Sequence, residues 1–133
     1  MINTTEHPRI LVAEDNRVMG KVMTFNLERS GFEVFLATDG RAALDALSAQ
    51  TFDLVITDYQ MPHACGDDIC RYIRKESSYR QIPVVLVSAK GLELQVKDLT
   101  SPDRFSHVVY KPFSPKEIVK LASELLQPLA EIS

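Results

Sequence analysis

Five short apolar runs, separated by longer amphipathic stretches, limit what this chain can fold into. The runs are Ile10–Ala13, Phe32–Ala37, Asp53–Thr57, Pro83–Val87 and Val108–Tyr110. A strand with one wet face alternates apolar and polar residues. A strand buried on both faces does not alternate, and that is the habit of parallel sheets sandwiched between helices. The first, third and fourth runs are of the second kind, and the fifth is the weakest.

The stretches between them read as helices. Val18, Val22 and Phe25 recur at i, i+4 and i+7, which predicts a first helix burying that stripe, with Gly31 as its C-terminal stop. Ala43, Leu44 and Leu47 predict a second helix. Ile69 and Ile73 mark a third, headed by Asp67 and Asp68, where the helix dipole favours negative charge. Leu92, Val96 and Leu99 predict a fourth. Ser114-Pro115-Lys116-Glu117 is a capping box with proline at the first helical position. Ile118, Leu121 and Leu125 continue the buried face of that last helix, and Pro128 marks its end. The expected fold is therefore α/β: a (βα)5, doubly wound, five-stranded parallel sheet.

At 133 residues the chain is the size of one domain, expected to span 1–133 with a core over about 8–127. An apolar fraction of 45% with 25% charged residues excludes disorder. The net charge of −3 offers no basic field to nucleic acid or to an anionic membrane. No apolar run approaches the ~20 residues of a membrane-spanning helix, and the N-terminal MINTTEHPRI is not a signal peptide. The expected location is the cytoplasm, or the cytoplasmic part of something larger. Cys65 and Cys70, with His7, His63 and His107 scattered, make neither a disulfide framework nor a zinc site.

In open α/β sheets, ligands bind beyond the carboxyl ends of the strands, where strand order reverses. At those ends stand Glu14 and Asp15, then Asp58, then Ser88, then Lys111. Taken singly, each has a plainer reading. Asp58 could cap a turn, Glu14-Asp15-Asn16 could cap the first helix, Ser88 could be a turn residue and Lys111 a solvated cation. Together they form a chemical set. Clustered carboxylates repel one another, and a hard cation such as Mg²⁺, which takes one or two carboxylates and several waters, relieves them. Lysine and serine then supply positive charge and a donor for phosphoryl oxygens, and a carboxylate is a nucleophile.

These pieces resemble the receiver domains of two-component response regulators. The resemblance rests on Ile10–Asn16, on Asp58-Tyr59-Gln60-Met61-Pro62 with Gly66, on Val87-Ser88-Ala89 and on Lys111-Pro112-Phe113. It implies the flavodoxin-like strand order 2-1-3-4-5 and names Asp58 as phosphoacceptor. Asp15 and Asp58 would bind Mg²⁺, Glu14 would act through a metal-bound water, and the backbone carbonyl of Gln60 would be a further ligand. Ser88 and Lys111 would hold the phosphoryl group, and the Lys111–Pro112 bond would be cis. Gln60 and Lys90 would overlook the site and influence the phosphoryl lifetime.

The implied partner is a sensor histidine kinase or a histidine phosphotransfer protein. No direct nucleic-acid or membrane contact is implied, and no downstream effector is named. Dimerisation on phosphorylation is compatible with the resemblance. The implied role is that of a signalling phosphoacceptor, not an enzyme turning over a separate substrate. The implied readout surface is the fourth helix, fifth strand and fifth helix, with Lys97, Lys116 and Lys120 as candidates on it.

The chain departs from that pattern where receivers carry an aromatic residue three before the lysine. Here the residue is Val108, with Tyr110 beside Lys111, and Thr100–His107 replaces the usual Gly-Ala stretch. His107 and Cys65 read as a solvated histidine and a loop thiol. Three other readings fit less well, among them a degenerate receiver used only for docking, which the full set of expected active-site groups argues against. A phosphatase resembling the haloacid dehalogenases needs its second acid two residues after a nucleophile on strand one, which is absent here. A flavodoxin-like FMN binder needs a Ser/Thr/Gly loop where this chain has Glu14-Asp15.

Overall fold

The structure, a computed structural model, describes residues 7–59, 61, 63–76, 81–89 and 105–126. The elements run β1 (Arg9–Ala13), α1 (Arg17–Arg29), β2 (Glu33–Ala37), α2 (Gly40–Ala49), β3 (Leu54–Asp58), α3 (Gly66–Lys75), β4 (Val84–Ala89), β5 (His107–Lys111) and α4 (Pro115–Leu126). The helix expected around Leu92–Leu99 lies outside the described residues, as do Lys90, Lys97 and Pro128.

The five strands form one sheet in the order β2-β1-β3-β4-β5, and every pairing is parallel. The order reverses between β1 and β3. The crevice beyond their carboxyl ends is therefore where this topology places chemistry.

Successive strand residues point to opposite faces, which divides the core in two. Leu11, Val55, Val84 and Leu86 pack on one face with Ala43 and Leu47 of α2 and Ile69 and Ile73 of α3. Ile10, Val12, Leu54, Ile56, Val85 and Val87 pack on the other, against Met23 and Leu27 of α1 and Ile118 and Ala122 of α4. Burying a Val, Leu or Ile side chain is worth about 1.5–3 kcal/mol. The doubly buried strands β1, β3 and β4 thus anchor the rim they lead to.

The local signals behave as their chemistry requires. The Ser114 N–H donates to Glu117 Oε1 at 2.8 Å and the Glu117 N–H donates to Ser114 Oγ at 3.3 Å, a closed capping box. Gly31 follows α1 with φ of +100°, a conformation that glycine adopts without penalty. Leu121 and Leu125 are only partly buried, and Ala122 takes the inner position instead.

One expectation is wrong. Val18 and Phe25, read as the buried stripe of α1, are 73% and 59% exposed, and Val22 is exposed too. The inner face is Gly20, Met23 and Leu27. Both stripes have helical spacing. Gly20 decides between them, because a β-carbon there would lie 3.0 Å from Leu36 Cδ1: α1 lies on β2 at the one residue that lacks a side chain. Among the described residues, no helix is long and apolar enough to cross a membrane.

Candidate functional site

β1 ends at Ala13, yet the backbone stays tied to the sheet for one more residue, through Glu14 N–H to Ala37 O at 3.0 Å. Glu14 is thereby held at 1% exposure. Its Oε2 accepts the Asn16 N–H at 3.0 Å, while Oε1 has no hydrogen-bond donor among the described residues. Asp15, the next residue, is exposed. Asn16 caps α1, its Oδ1 accepting the Met19 N–H at 3.0 Å. The acidic tripeptide therefore divides its labour, with the cap reading true of Asn16 and the two acids left to the rim.

Asp58 is the last residue of the fully buried β3. Its neighbour Tyr59 donates its N–H to Val87 O at 3.0 Å, which fixes the turn onto β4. Lys111 closes β5. Its ammonium lies 3.1 Å from Asp58 Oδ1, donates to Asp58 Oδ2 at 3.3 Å and stands 3.7 Å from Glu14 Oε1. One oxygen each from Glu14, Asp15 and Asp58 lie within 4.8 Å of one another. Ser88 is buried near the end of β4, its hydroxyl without a hydrogen-bond partner among the described residues. Residues from four strand ends thus converge at one rim. The Lys111–Pro112 bond is cis.

The loop leaving Asp58 is pinned where it returns. Gly66 N–H donates to Tyr59 O at 2.8 Å, the Tyr59 hydroxyl donates to Asp67 Oδ2 at 3.1 Å, and Cys65 N–H donates to Asp68 Oδ2 at 2.9 Å. Hydrogen bonds from Cys65, that backbone N–H first and the side chain second, hold Asp68 below the usual carboxylate range. A β-carbon at Gly66 would meet Asp58 O at 2.8 Å, so only glycine fits this return. Gln60, expected to offer its carbonyl, and Pro62 lie outside the described residues.

The rim is electrostatically loaded. Burial, reinforced by the charge of Asp58 and opposed by the Asn16 N–H and Lys111, pushes the Glu14 carboxyl up to about 7. Burial also raises Asp58, against the pull of Lys111. For Lys111 burial acts downward, but the hydrogen bond and charge of Asp58, with Glu14 and Asp15, outweigh it and its pKa is raised. A buried carboxylate oxygen with no donor among the described residues, facing two further carboxylates, is a donor set for a hard divalent cation, and Mg²⁺ fits it.

The remaining candidates sort by position. His107 is exposed at the head of β5, at the far end of that strand from Lys111. Cys65 is half-buried as the residue before α3, and Cys70 is buried. Val108 packs against the core shared with α2 and α3, while Tyr110 pairs in register with Ser88. Sequence reasoning missed the Tyr59–Asp67 tie. It also missed Gly40, whose contact with Ala64 joins segments far apart in the chain.

A parallel flavodoxin-like sheet with this acidic rim and an opposed lysine is the arrangement of a receiver domain. The family model of the response regulator receiver domain matches residues 10–123, and the chain belongs to that family. It is similar to the phosphate regulon transcriptional regulatory protein PhoB of Escherichia coli (strain K12), 35% identical over 127 residues, covering 92% of this chain and 54% of that protein. The chain spans about half the length of the curated relatives it matches. Among solved structures it is similar to chemotaxis response regulator CheY4 of Vibrio cholerae, with a TM-score of 0.82, 25% identity and coverage of 91% of this chain and 100% of that one. It is also similar to the receiver domain of a sensor histidine kinase of Pseudomonas aeruginosa PAO1, solved with a magnesium ion coordinated in the active-site cleft. That match has a TM-score of 0.78 and 25% identity, and covers 90% of this chain and 98% of that one.

Proposed function

We propose that Asp58 accepts a phosphoryl group from a phosphohistidine on a sensor histidine kinase or phosphotransfer protein, in a Mg²⁺-dependent reaction in the cytoplasm. The observation that carries this is the Lys111 ammonium, 3.1 Å from Asp58 and 3.7 Å from Glu14, beside the three-carboxylate cluster. An Asp58 carboxylate oxygen attacks phosphorus, the phosphorus–nitrogen bond to the donor imidazole breaks, and the imidazole leaves to take up a proton. Lys111 moves from the carboxylate to a phosphoryl oxygen, and the Ser88 hydroxyl, without a partner among the described residues, donates to the phosphoryl group. Asp15 and Asp58 would hold the ion directly, with Glu14 acting through water and the Gln60 carbonyl as a further ligand. When bound, the ion neutralises charge on the carboxylates and on the transferring group.

The aspartyl phosphate is later lost to water, so the chain catalyses only its own phosphorylation and dephosphorylation. The added charge of roughly −1.5 to −2 draws Ser88 and Lys111 inward. That biases an existing equilibrium of the readout surface implied by the resemblance, of which β5 and α4 are the described parts, toward its partner-binding state. Val108 lacks a ring to turn, so the shift runs through Ser88 and the β5 backbone.

The test is incubation with Mg²⁺ and acetyl phosphate, followed by intact-mass measurement. The expected result is a phosphoryl adduct on wild type and none on Asp58→Asn. Equal yield on both proteins would remove Asp58 from the role.

A further inference from the structure

Gly40 opens α2, far in sequence from the loop that leaves Asp58, and lies directly against it. A β-carbon built on Gly40 would stand 1.9 Å from the Ala64 carbonyl oxygen and 2.6 Å from the Ala64 carbonyl carbon and β-carbon. No rotamer relieves such an overlap, because the obstacle is backbone. The two sides of the contact are held independently. On the α2 side, Asp39 Oδ1 accepts the Ala42 N–H at 2.7 Å, and Ala43, Ala46 and Leu47 are buried in the core.

On the loop side, Ala64 belongs to a short arm, His63–Gly66, that returns the chain to α3. Next to Ala64, His63 holds φ of +74°, a backbone region that residues with a β-carbon rarely adopt. The far end of the arm has no slack. Gly66 N–H is bound to Tyr59 O at 2.8 Å, and the Gly66 Cα is so close to Asp58 that an added β-carbon would meet its carbonyl oxygen at 2.8 Å. The arm is thus sandwiched, with α2 on one side and the backbone of Asp58 on the other. Displacement from the first surface drives it into the second.

We propose that Gly40 is a positioning residue for phosphoryl transfer: by lacking a side chain, it lets α2 brace the His63–Gly66 arm and so fixes the backbone of Asp58 at the acidic rim. This rests on the reading of Asp58 as phosphoacceptor. It adds to that reading a contact from a helix that contributes no group to the chemistry. The Asp58 carboxylate must sit within a fraction of an ångström of its working position, and misplacement by about 1 Å is enough to lose on the order of 100-fold in rate.

The experiment compares wild type with Gly40→Ala, Ala64→Gly and Ala46→Gly. Ala46→Gly weakens α2 at a buried site remote from the arm. Ala64→Gly loosens the arm without any clash. Three quantities are measured: thermal midpoint, Mg²⁺ affinity by isothermal titration, and rate of adduct formation from acetyl phosphate at saturating Mg²⁺. The brace predicts that Gly40→Ala loses roughly 10-fold or more in rate and Mg²⁺ affinity, and Ala64→Gly about 3-fold, while Ala46→Gly stays within about 2-fold at a comparable drop in midpoint.

Rates and affinities that follow the midpoint alone, or an unchanged Ala64→Gly, would overturn the brace. If Gly40→Ala does not fold, Ala64→Gly against Ala46→Gly decides. If wild type itself takes no phosphoryl group, the phosphoacceptor reading has failed instead, and Mg²⁺ affinity alone decides the brace.

Discussion

The two rims of the sheet are made from the same strands and treat their polar groups in opposite ways. At the amino-terminal rim, Arg9 is fully engaged. Its guanidinium donates to the Gln50 side chain, lies 3.7 Å from Glu33 Oε1 and sits over the Phe52 ring at 5.4 Å. Its N–H donates to Asp53 Oδ2 at 2.8 Å. At the carboxyl-terminal rim, Glu14 Oε1 and Ser88 Oγ are buried with no hydrogen-bond partner among the described residues, and one ammonium is shared by two carboxylates. Unpaired buried polar groups are destabilising, and proteins keep them where something else will complete them. The first rim is satisfied by contacts within the fold, and the second keeps buried polar atoms that no described residue satisfies.

The largest effect that separates the rims is on chemistry. Lys111→Ala should slow adduct formation from acetyl phosphate by about 100-fold or more, the usual consequence of removing a preorganised group that stabilises transition-state charge. Arg9→Ala should leave that rate unchanged. A comparable loss in both variants, measured by intact mass over time, would break the comparison, since the amino-terminal rim would then be acting on the chemistry.

The next effect is on stability, and it has opposite signs at the two rims. Glu14→Gln removes a buried charge that repels Asp58. In EDTA at pH 8 the variant should therefore be more stable than wild type, by about 1–3 kcal/mol in urea unfolding. Mg²⁺ should raise the urea midpoint of wild type and have much less effect on the variant. A Glu14→Gln protein less stable than wild type without metal would mean that the glutamate is a structural partner of Lys111 rather than part of a site awaiting an ion.

The same groups set a pH dependence. Glu14 is raised in the folded state from 4.5 to about 7, and Asp58 moves in the same direction, so the folded chain binds more protons than the unfolded one across that window. Stability from this source is complete below about pH 4.5, declines as pH rises and is gone above about 7. In EDTA the urea midpoint should therefore fall between pH 5 and pH 8. Glu14→Gln should flatten that fall. A wild-type midpoint that rises over this range would show that the Lys111 ion pairs, and not burial, dominate the rim.

How far each region could be read in the sequence follows from how its residues are paired. The strands and the carboxyl-terminal rim were legible because doubly buried strands have no alternation, and because a polar residue directly after such a run, as at Glu14, Asp58 and Ser88, stands out against it. The inner face of α1 was not legible. Val18, Val22 and Phe25 form as good a stripe as Gly20, Met23 and Leu27, and hydrophobic periodicity gives a glycine no weight. The contact that chose the buried face, Gly20 on Leu36, pairs residues of different elements. The brace at Gly40 and the Arg9 cluster were hidden for the same reason: Gly40 meets Ala64, and Arg9 meets Glu33, Gln50 and Phe52, only after the sheet has formed.

The smallest effect sharpens the comparison from the quiet side. Arg9→Ala removes a partly exposed ion pair, a side-chain hydrogen bond and a cation–ring contact, and each is worth only a fraction of a kcal/mol to about 1 kcal/mol at such a site. The loss should be about 1 kcal/mol and the same in EDTA and in saturating Mg²⁺, because nothing Arg9 touches belongs to the acidic cluster. Salt should shrink the part due to Glu33. The informative quantity is the double-mutant cycle with Glu14→Gln. The two changes lie on opposite rims with no shared partner, so their effects should add to within about 0.5 kcal/mol. A larger coupling would mean that β1, which Arg9 opens and Glu14 follows, transmits strain along its length, and that the two rims are one mechanical unit.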